Sequence, residues 1–322
     1  MIRSLFRNTK GNFAIDIPTT HWRTALKDEG GLLWVDFQGE AIETAEPLLK
    51  DIFNFHPLAI DDALRENHVP KIDNWREAVY VCVHDVVFDS KTLELVTNEL
   101  DIFFGRNFLV SLHHEPVEAV DRIWRHTQSN HTRLDSGPDH LLYDLLDNIT
   151  SDYMPVADAL DETIDVIEEE VFGRPTQHTL NKIFSVRRAV LKMRRIISPQ
   201  REVLNRLARD EYPFIDPKDR VYFRDVYDHL VRLADLNESL RDLIGGTLDT
   251  YLSVIANRQN AIMKTLTITS VLFLPISFLA GFFGMNFLGL PFDSLVWMWG
   301  SIITMILVPI VMLLWFRSRN WL

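Results

Sequence analysis

Hydrophobic and polar positions follow three regimes along this chain. Up to about residue 115, short apolar runs alternate with polar turns. Leu32-Leu33-Trp34-Val35-Asp36-Phe37 follows Gly30-Gly31 and predicts a strand. Residues Ile42 to Phe53 repeat at helical spacing, with Ile42, Ala45, Leu48, Leu49 and Ile52 on one face. Val79 to Phe88, Leu93 to Phe104 and Phe108 to His113 are β-rich runs separated by the hairpin turns Asp89-Ser90-Lys91 and Gly105-Arg106-Asn107. A mixed sheet with helices against it is the expected product, an α+β domain over residues 1–115.

From about Pro116 the pattern turns helical. His140 to Phe172 is one amphipathic run, stopped by Gly173-Arg174-Pro175, and Thr179 to Arg209 is a second, closed by Tyr212-Pro213. A third opens at Asp216-Pro217, with Asp as N-cap and Pro in the first turn. Nothing stops it before Gly284, although Gly245-Gly246 weakens it by about 1 kcal/mol per Gly relative to Ala. A helix of that reach is about 100 Å long. Residues 116–263 thus form a helical region that includes a long stalk. Asp158, Asp161, Glu162, Asp165, Glu168, Glu169 and Glu170 crowd the first helix, and Arg187, Arg188, Lys192, Arg194, Arg195, Arg201, Arg206 and Arg209 the second. These sets are either solvated faces, with surface pairs worth about 0–1 kcal/mol each, or a charged collar that concentrates cations.

The third regime, residues 264–322, is almost free of charge. No charged side chain falls between Thr265 and Phe292 or between Ser294 and Phe316. Each stretch is long enough to cross a hydrocarbon core of about 30 Å as a helix. The spans are placed at about 265–284 and 295–316, with a loop at about 285–294. Arg258, Lys264, Arg317 and Arg319 flank the spans while the loop has no Lys or Arg, so the positive-inside rule puts both termini in the cytoplasm. Trp297, Trp299, Trp315 and Trp321 stand where interfacial aromatic belts belong. The competing reading is a buried helical hairpin of a soluble protein, which two consecutive charge-free spans with basic flanks disfavour.

Composition adds limits. Charged residues make up 24% of the chain and mean hydropathy is close to zero, so only the last segment departs from a globular average. The start, Met1-Ile2-Arg3-Ser4-Leu5-Phe6, is too short an apolar run for a secretory signal. The single cysteine, Cys82, lies in an apolar strand pattern and reads as core. A net charge of −12 argues against nucleic acid and fits attraction of cations. No phosphate loop, nucleophile elbow or HExxH motif is present, so no enzyme is expected. His113-His114-Glu115 is the nearest approach to a metal cluster, but adjacent residues at a strand end point to opposite faces.

Spacing of three and four from Asn260 gathers Asn260, Met263, Thr267, Ser270, Leu274, Ser277 and Gly281 on one face, with Leu266 beside it and Gly284 and Asn286 at the outer end. Polar, small and unbranched residues recur there, and none is a carboxylate. Lining a pore, this face offers neutral oxygens interrupted by apolar constrictions. Alternatively, Gly281 and Gly284 form a helix-packing seam.

Gly284-Met285-Asn286 at the outer end of the first span, followed by a second span and a basic end closing in Trp321-Leu322, resembles the CorA divalent-cation channels. So do Lys264-Thr265-Leu266-Thr267-Ile268, Pro275 to Phe287, Tyr222 to His229, Ile164 to Val171, His56 to Leu64 and Pro70-Lys71, so the likeness covers essentially the whole chain. The resemblance implies a funnel-shaped homopentamer in the plasma (inner) membrane, each chain contributing a two-helix transmembrane hairpin in contact with lipid. Its long helix lines the pore, and Gly284, Met285 and Asn286 form a selectivity ring for hydrated Mg²⁺, with Co²⁺ and Ni²⁺ as further cargo. It also implies an inhibitory Mg²⁺ site between subunits, carried by motif onto Asp62 and Asp225 with Asp61 and Asp147 nearby. Without the resemblance, Asp61 and Asp62 read as openers of a surface helix. Family members often carry acidic residues soon after the Asn, and here only Asp293 remains. Two alternatives stay open: a zinc transporter of the ZntB type, proton-coupled, and a membrane-anchored cytoplasmic sensor.

Overall fold

A computed structural model describes residues 1–65, 69–75, 77–285 and 294–319, the side chains of 131–133 excepted. The chain divides into two compact units, Met1–Leu248 and Asp249–Leu322. Its strands are β1 (Ile2–Arg7), β2 (Phe13–Ile15), β3 (Leu32–Gln38), β4 (Lys71–Trp75), β5 (Ala78–Asp89), β6 (Glu94–Phe104) and β7 (Phe108–His113). Its α-helices are α1 (Thr19–Ala25), α2 (Ile42–Asp51), α3 (Pro57–Arg65), α4 (Glu118–Ser129), α5 (Pro138–Ser151), α6 (Tyr153–Gly173), α7 (Gln177–Arg209), α8 (Arg220–Phe283) and α9 (Leu295–Ser318).

The strands form one sheet in the order β2-β1-β3-β7-β6-β5-β4. Consecutive hairpins make β5–β6 and β6–β7 antiparallel, as their turns predict, whereas β3 joins β7 in parallel. At the β6–β7 turn a Cβ on Gly105 would lie 2.4 Å from the Phe108 ring, so the close approach itself demands glycine. At the β5–β6 turn Asp89 accepts from the Lys91 N–H (2.8 Å) and the Thr92 hydroxyl (3.1 Å). Period-two alternation sends Leu33, Val35, Phe37, Tyr80, Cys82, Phe103, Val110 and Leu112 to a core shared with α1, α2 and α3. There Phe55 stacks on Phe103 at 4.3 Å.

The opposite face holds a buried polar network. Asp36, fully buried, accepts from Arg3 Nε (2.9 Å) and from the Ser111 hydroxyl, and lies 3.3 Å from His113 Nε2. The Ser111 hydroxyl in turn accepts from Trp34 Nε1 at 3.1 Å. Burial alone would raise the Asp36 pKa, but His113, Arg3 and Ser111 hold it below its usual value. Arg3 also covers the Trp124 ring at 4.4 Å, tying β1 to α4. Beyond the end of β4, the outer edge of β5 is satisfied from helices: His84 N–H donates to Gln200 (3.1 Å) and its carbonyl accepts from Tyr153 (2.7 Å).

Two helix boundaries differ from expectation. The run predicted over 140–172 is two helices, parted at Asp152, whose carboxylate accepts from Arg122 at 2.6 Å. The helix expected to open at Asp216-Pro217 begins at Arg220. Asp216 instead closes a turn, its carboxylate accepting from Lys218 N–H (3.0 Å) and its own N–H donating to Asp139 (3.0 Å). By contrast α7 opens on a full capping box, Thr176 and Thr179 bonding each other's N–H. Glu170 of the acidic set pairs with Lys182, a residue of α7 that precedes the basic set. Helix α8 passes through Gly245-Gly246 and Pro275 unbroken to Phe283.

Candidate functional site

In α8 the whole expected stripe (Asn260, Met263, Leu266, Thr267, Ser270, Leu274, Ser277, Gly281) is exposed in the single chain, while Ile268, Val271, Leu272, Pro275, Ile276 and Leu279 are half-buried. Helix α9 likewise has one shielded stripe, Ser301, Met305, Val308, Met312 and Phe316. The most apolar window of α8 has none of its residues buried and that of α9 only 6%. A core helix of a soluble protein has the opposite property.

The hydroxyls on α8 divide into two kinds. Thr265, Thr267 and Thr269 donate to the carbonyls of Ala261, Met263 and Thr265 at 3.0, 2.8 and 2.9 Å. Satisfied inside the helix, such a group faces lipid as readily as water, so Thr267 is a weak marker of a pore. Among the described residues, none bonds the Asn260 amide or the Ser270 and Ser277 hydroxyls. These are the groups that require water or a neighbouring chain. Among the described residues a Cβ on Gly281 would meet nothing within 4 Å, and one on Gly284 would meet only backbone of its own helix. No packing seam runs there within one chain among the described residues. The helix ends with Gly284 N–H on Ala280 O (3.0 Å) and Met285 N–H on Phe282 O (3.2 Å). Asn286, the rest of the outer loop to Asp293, and Trp321-Leu322 lie outside the described residues.

A second constellation lies between α5 and the start of α8. Asp144 and Asp147 stand three apart on α5, and Asp225 and His229 four apart on α8, so each pair shares a helix face. Burial raises the Asp147 pKa; His229 opposes the shift, and the Asp225 and Asp144 charges add to it. Tyr143 is raised by burial and by the same carboxylates. Its ring lies 5.1 Å from that of Tyr222, which meets His140 edge-on at 5.4 Å. Carboxylate oxygens suit a hard divalent cation, and the imidazole extends the donor set toward first-row transition metals.

Asp61 and Asp62 sit apart from this group on α3. Asp62, a quarter exposed, accepts from Lys71 Nζ at 2.6 Å. Asp61 pairs with Arg65, which also reaches Glu46 at 2.8 Å. The fold therefore brings Asp147 and Asp225 into one electrostatic neighbourhood and gives each α3 carboxylate a cation of its own chain. His229 and Asp144 were not singled out from sequence, although Asp225-x-x-x-His229 and Asp144-x-x-Asp147 are the spacings that align side chains on a helix. His113 is buried, its Nδ1–H on Glu115 O at 2.7 Å, and His114 is exposed, so the two serve different faces.

Comparison with known proteins gives one consistent result. The family model described as "CorA-like Mg2+ transporter protein" matches residues 29–318. A curated relative, the "Cobalt/magnesium transport protein CorA" of Thermotoga maritima, is 32% identical over 301 residues, covering 92% of this chain and 85% of the relative. The "Zinc transport protein ZntB" of Yersinia pestis is 25% identical over 299 residues, covering 90% and 88%. Among solved structures, the complete CorA magnesium transporter from Methanocaldococcus jannaschii superposes with a TM-score of 0.85 at 22% identity, covering 99% of this chain and 98% of that one.

Proposed function

The chain belongs to the CorA-like Mg²⁺ transporter family, and from that premise we propose that it is a Mg²⁺ channel, also passing Co²⁺ and Ni²⁺, that works as a homopentamer in the plasma membrane with both termini cytoplasmic. Helix α8 lines the pore, α8 and α9 form the transmembrane hairpin against lipid, and Gly284, Met285 and Asn286 make the outer ring. Mg²⁺ holds its waters tightly, so a ring of amide groups that hydrogen-bonds the hydration shell selects it without stripping it. Asn260, Ser270 and Ser277 offer the same kind of contact further in, separated by the apolar positions Met263, Leu266 and Leu274, which close by dewetting. Regulatory Mg²⁺ binds between Asp62 of one subunit and Asp225 of the next, with Asp61 and Asp147 beside them. Bound there, it favours the closed state by the difference in its affinity for the two states.

The observation that carries this reading is α8 itself. It is one helix from Arg220 to Phe283, charge-free after Lys264, with no buried residue in its most apolar window, and ending at Gly284-Met285. Its test is flux of Mg²⁺, Co²⁺ and Zn²⁺ through the purified full chain in liposomes, with and without a pH gradient. Mg²⁺ and Co²⁺ flux indifferent to the gradient is expected. A second reading, Zn²⁺ transport of the ZntB type, is favoured by the outer loop's single acidic residue, Asp293, and by the zinc-transporting relative. Zn²⁺ flux driven by the gradient would select it, and no divalent flux at all would leave only a membrane-anchored sensor.

A further inference from the structure

Away from α3, α5 and α8, the β5–β6 pair holds a second group of metal-ligating side chains. Cys82 faces Asp101 across the ladder and His84 faces Glu99. Period-two alternation puts all of them on one face of the sheet. Cys82 Sγ and one carboxylate oxygen each of Glu99 and Asp101 lie within 4.8 Å of one another. Cys82 is 0%, Asp101 5% and His84 6% exposed. His84 stands beside this group rather than inside it, its Nε2 3.7 Å from Glu99 Oε2, and its buried Nδ1 has no hydrogen-bond partner among the described residues. We propose that Cys82, Glu99 and Asp101, with His84 as fourth ligand, bind one Zn²⁺-class transition-metal ion per chain.

The bland account of these residues is a proton-sharing core cluster, with the Tyr80 hydroxyl donating to Asp101 at 2.6 Å. That account places two carboxyls and a thiol within 4.8 Å of one another with little access to solvent. Buried ionisable groups of that kind are normally paired or metal-bound. Lys71, whose charge reaches Asp101, is already engaged by Asp62 at 2.6 Å. With metal in place Tyr80 keeps a role, fixing the Asp101 carboxylate from behind as outer-shell donors do. Entry has a route, because Glu99 and Asp101 line a cavity of about 340 Å³ whose other walls include the exposed His114 and Glu115. Thiolate, imidazole and two carboxylates form a four-coordinate set suited to Zn²⁺ or Co²⁺. Mg²⁺, which demands near-octahedral oxygen ligands, is a poor fit. The site is thus distinct in ligand chemistry from the all-oxygen contacts of the transport path.

The test uses the full chain in detergent, with Co²⁺ as probe. Since Cys82 is the only cysteine, a thiolate-to-cobalt charge-transfer band reports this site and no other. The band is expected at one equivalent of Co²⁺ per chain, displaced by Zn²⁺ and not by excess Mg²⁺. Cys82→Ser should abolish it, and the near-isosteric Asp101→Asn and Glu99→Gln should each weaken Co²⁺ at least about 10-fold while the folded spectrum is retained. No band in the folded protein at millimolar Co²⁺ would overturn the proposal, and so would wild-type affinity in both carboxamide variants. Cation flux is not the readout, so failure here leaves the transport reading standing.

Discussion

Lys71→Met and Asp225→Asn should move inhibition by internal Mg²⁺ in opposite directions. Asp62, a proposed ligand, already accepts from Lys71 Nζ at 2.6 Å, both side chains being about a quarter exposed. A pair so placed is worth at most about 1 kcal/mol net, and a metal competing for that carboxylate must displace it. Removing the lysine should therefore strengthen Mg²⁺ at the site by up to about 5-fold. Removing Asp225 deletes the other end of the bridge. At tenfold over its dissociation constant, one site favours the closed form by roughly 1.4 kcal/mol, and the five sites of a pentamer by a few times that. The assay is Mg²⁺ flux from proteoliposomes against a titration of Mg²⁺ on the side of the α/β unit. Lys71→Met should be inhibited at lower Mg²⁺ than wild type, while Asp225→Asn should stay open into the millimolar range. Asp62→Asn should match Asp225→Asn, and the double variant should add little, because one bridge needs both ends. A purely structural role for Asp62 gives no reason for opposite signs. If Lys71→Met and Asp225→Asn shift inhibition the same way, or Asp225→Asn stays fully inhibited, the bridge is wrong.

Asn286→Ala should abolish selective Mg²⁺ flux while leaving the assembly intact by size, since it removes the amide that meets the hydration shell; wild-type flux would refute the ring. Mass measurement in mild detergent should give five chains per particle, and a monomer or dimer would count against the pore. Asp85 is buried, and burial, with the Asp152 charge, pushes its pKa up from 3.8 to about 6. The native state thus holds a proton the unfolded chain has lost, so stability falls as pH rises from about 4 to 6, by roughly 3 kcal/mol in all. Asp85→Asn should therefore raise the unfolding temperature at pH 7 and leave it unchanged below pH 4. Asp36→Asn, which strips Arg3 and His113 of their buried partner, should cost about 3–5 kcal/mol in chemical unfolding. Asp121→Ala, at the 30% exposed outer end of the same arginine, should cost less than about 1 kcal/mol.

Much of the sheet was legible because its signals are local. The turns at 89–91 and 105–107 give β5, β6 and β7 and their antiparallel order. The strands β1, β2 and β4 were not read. Phe13–Ile15 has only three residues, and Lys71–Trp75 carries Lys, Asp and Asn, the charged habit of an edge strand rather than a buried one. Asp216-Pro217 has the composition of a helix start, but a competing bond from its N–H to Asp139, seventy-seven residues away, holds it in a turn. The Asp36 network joins β1, β3 and β7 through contacts that no periodicity reports. In the candidate sites, Asp147 and Asp225 came from motif resemblance. The grouping of Asp144 and His229 with them needed α5 to lie beside α8, and the Cys82–Asp101 juxtaposition needed the hairpin register. The hydroxyls of Thr267 and Ser270 look equivalent in sequence and differ only in where their hydrogen bonds go.

The parallel pairing of β3 with β7 also sets a timetable for the growing chain. On its other side β3 has β1, already synthesised, but its Leu33 to Phe37 edge is not covered until Phe108–His113 has emerged. At a ribosomal rate of about 5–20 residues per second, that interval lasts roughly 4–15 s. During it a strand with Leu32-Leu33-Trp34-Val35 presents an unpaired backbone edge and side chains that end fully buried. The β5–β6–β7 meander, built from local turns, closes within its own span and then offers β7 as the docking edge. Nascent chains arrested between residues 38 and 108 should be the ones a holdase chaperone grips most firmly, and release should coincide with the arrival of β7.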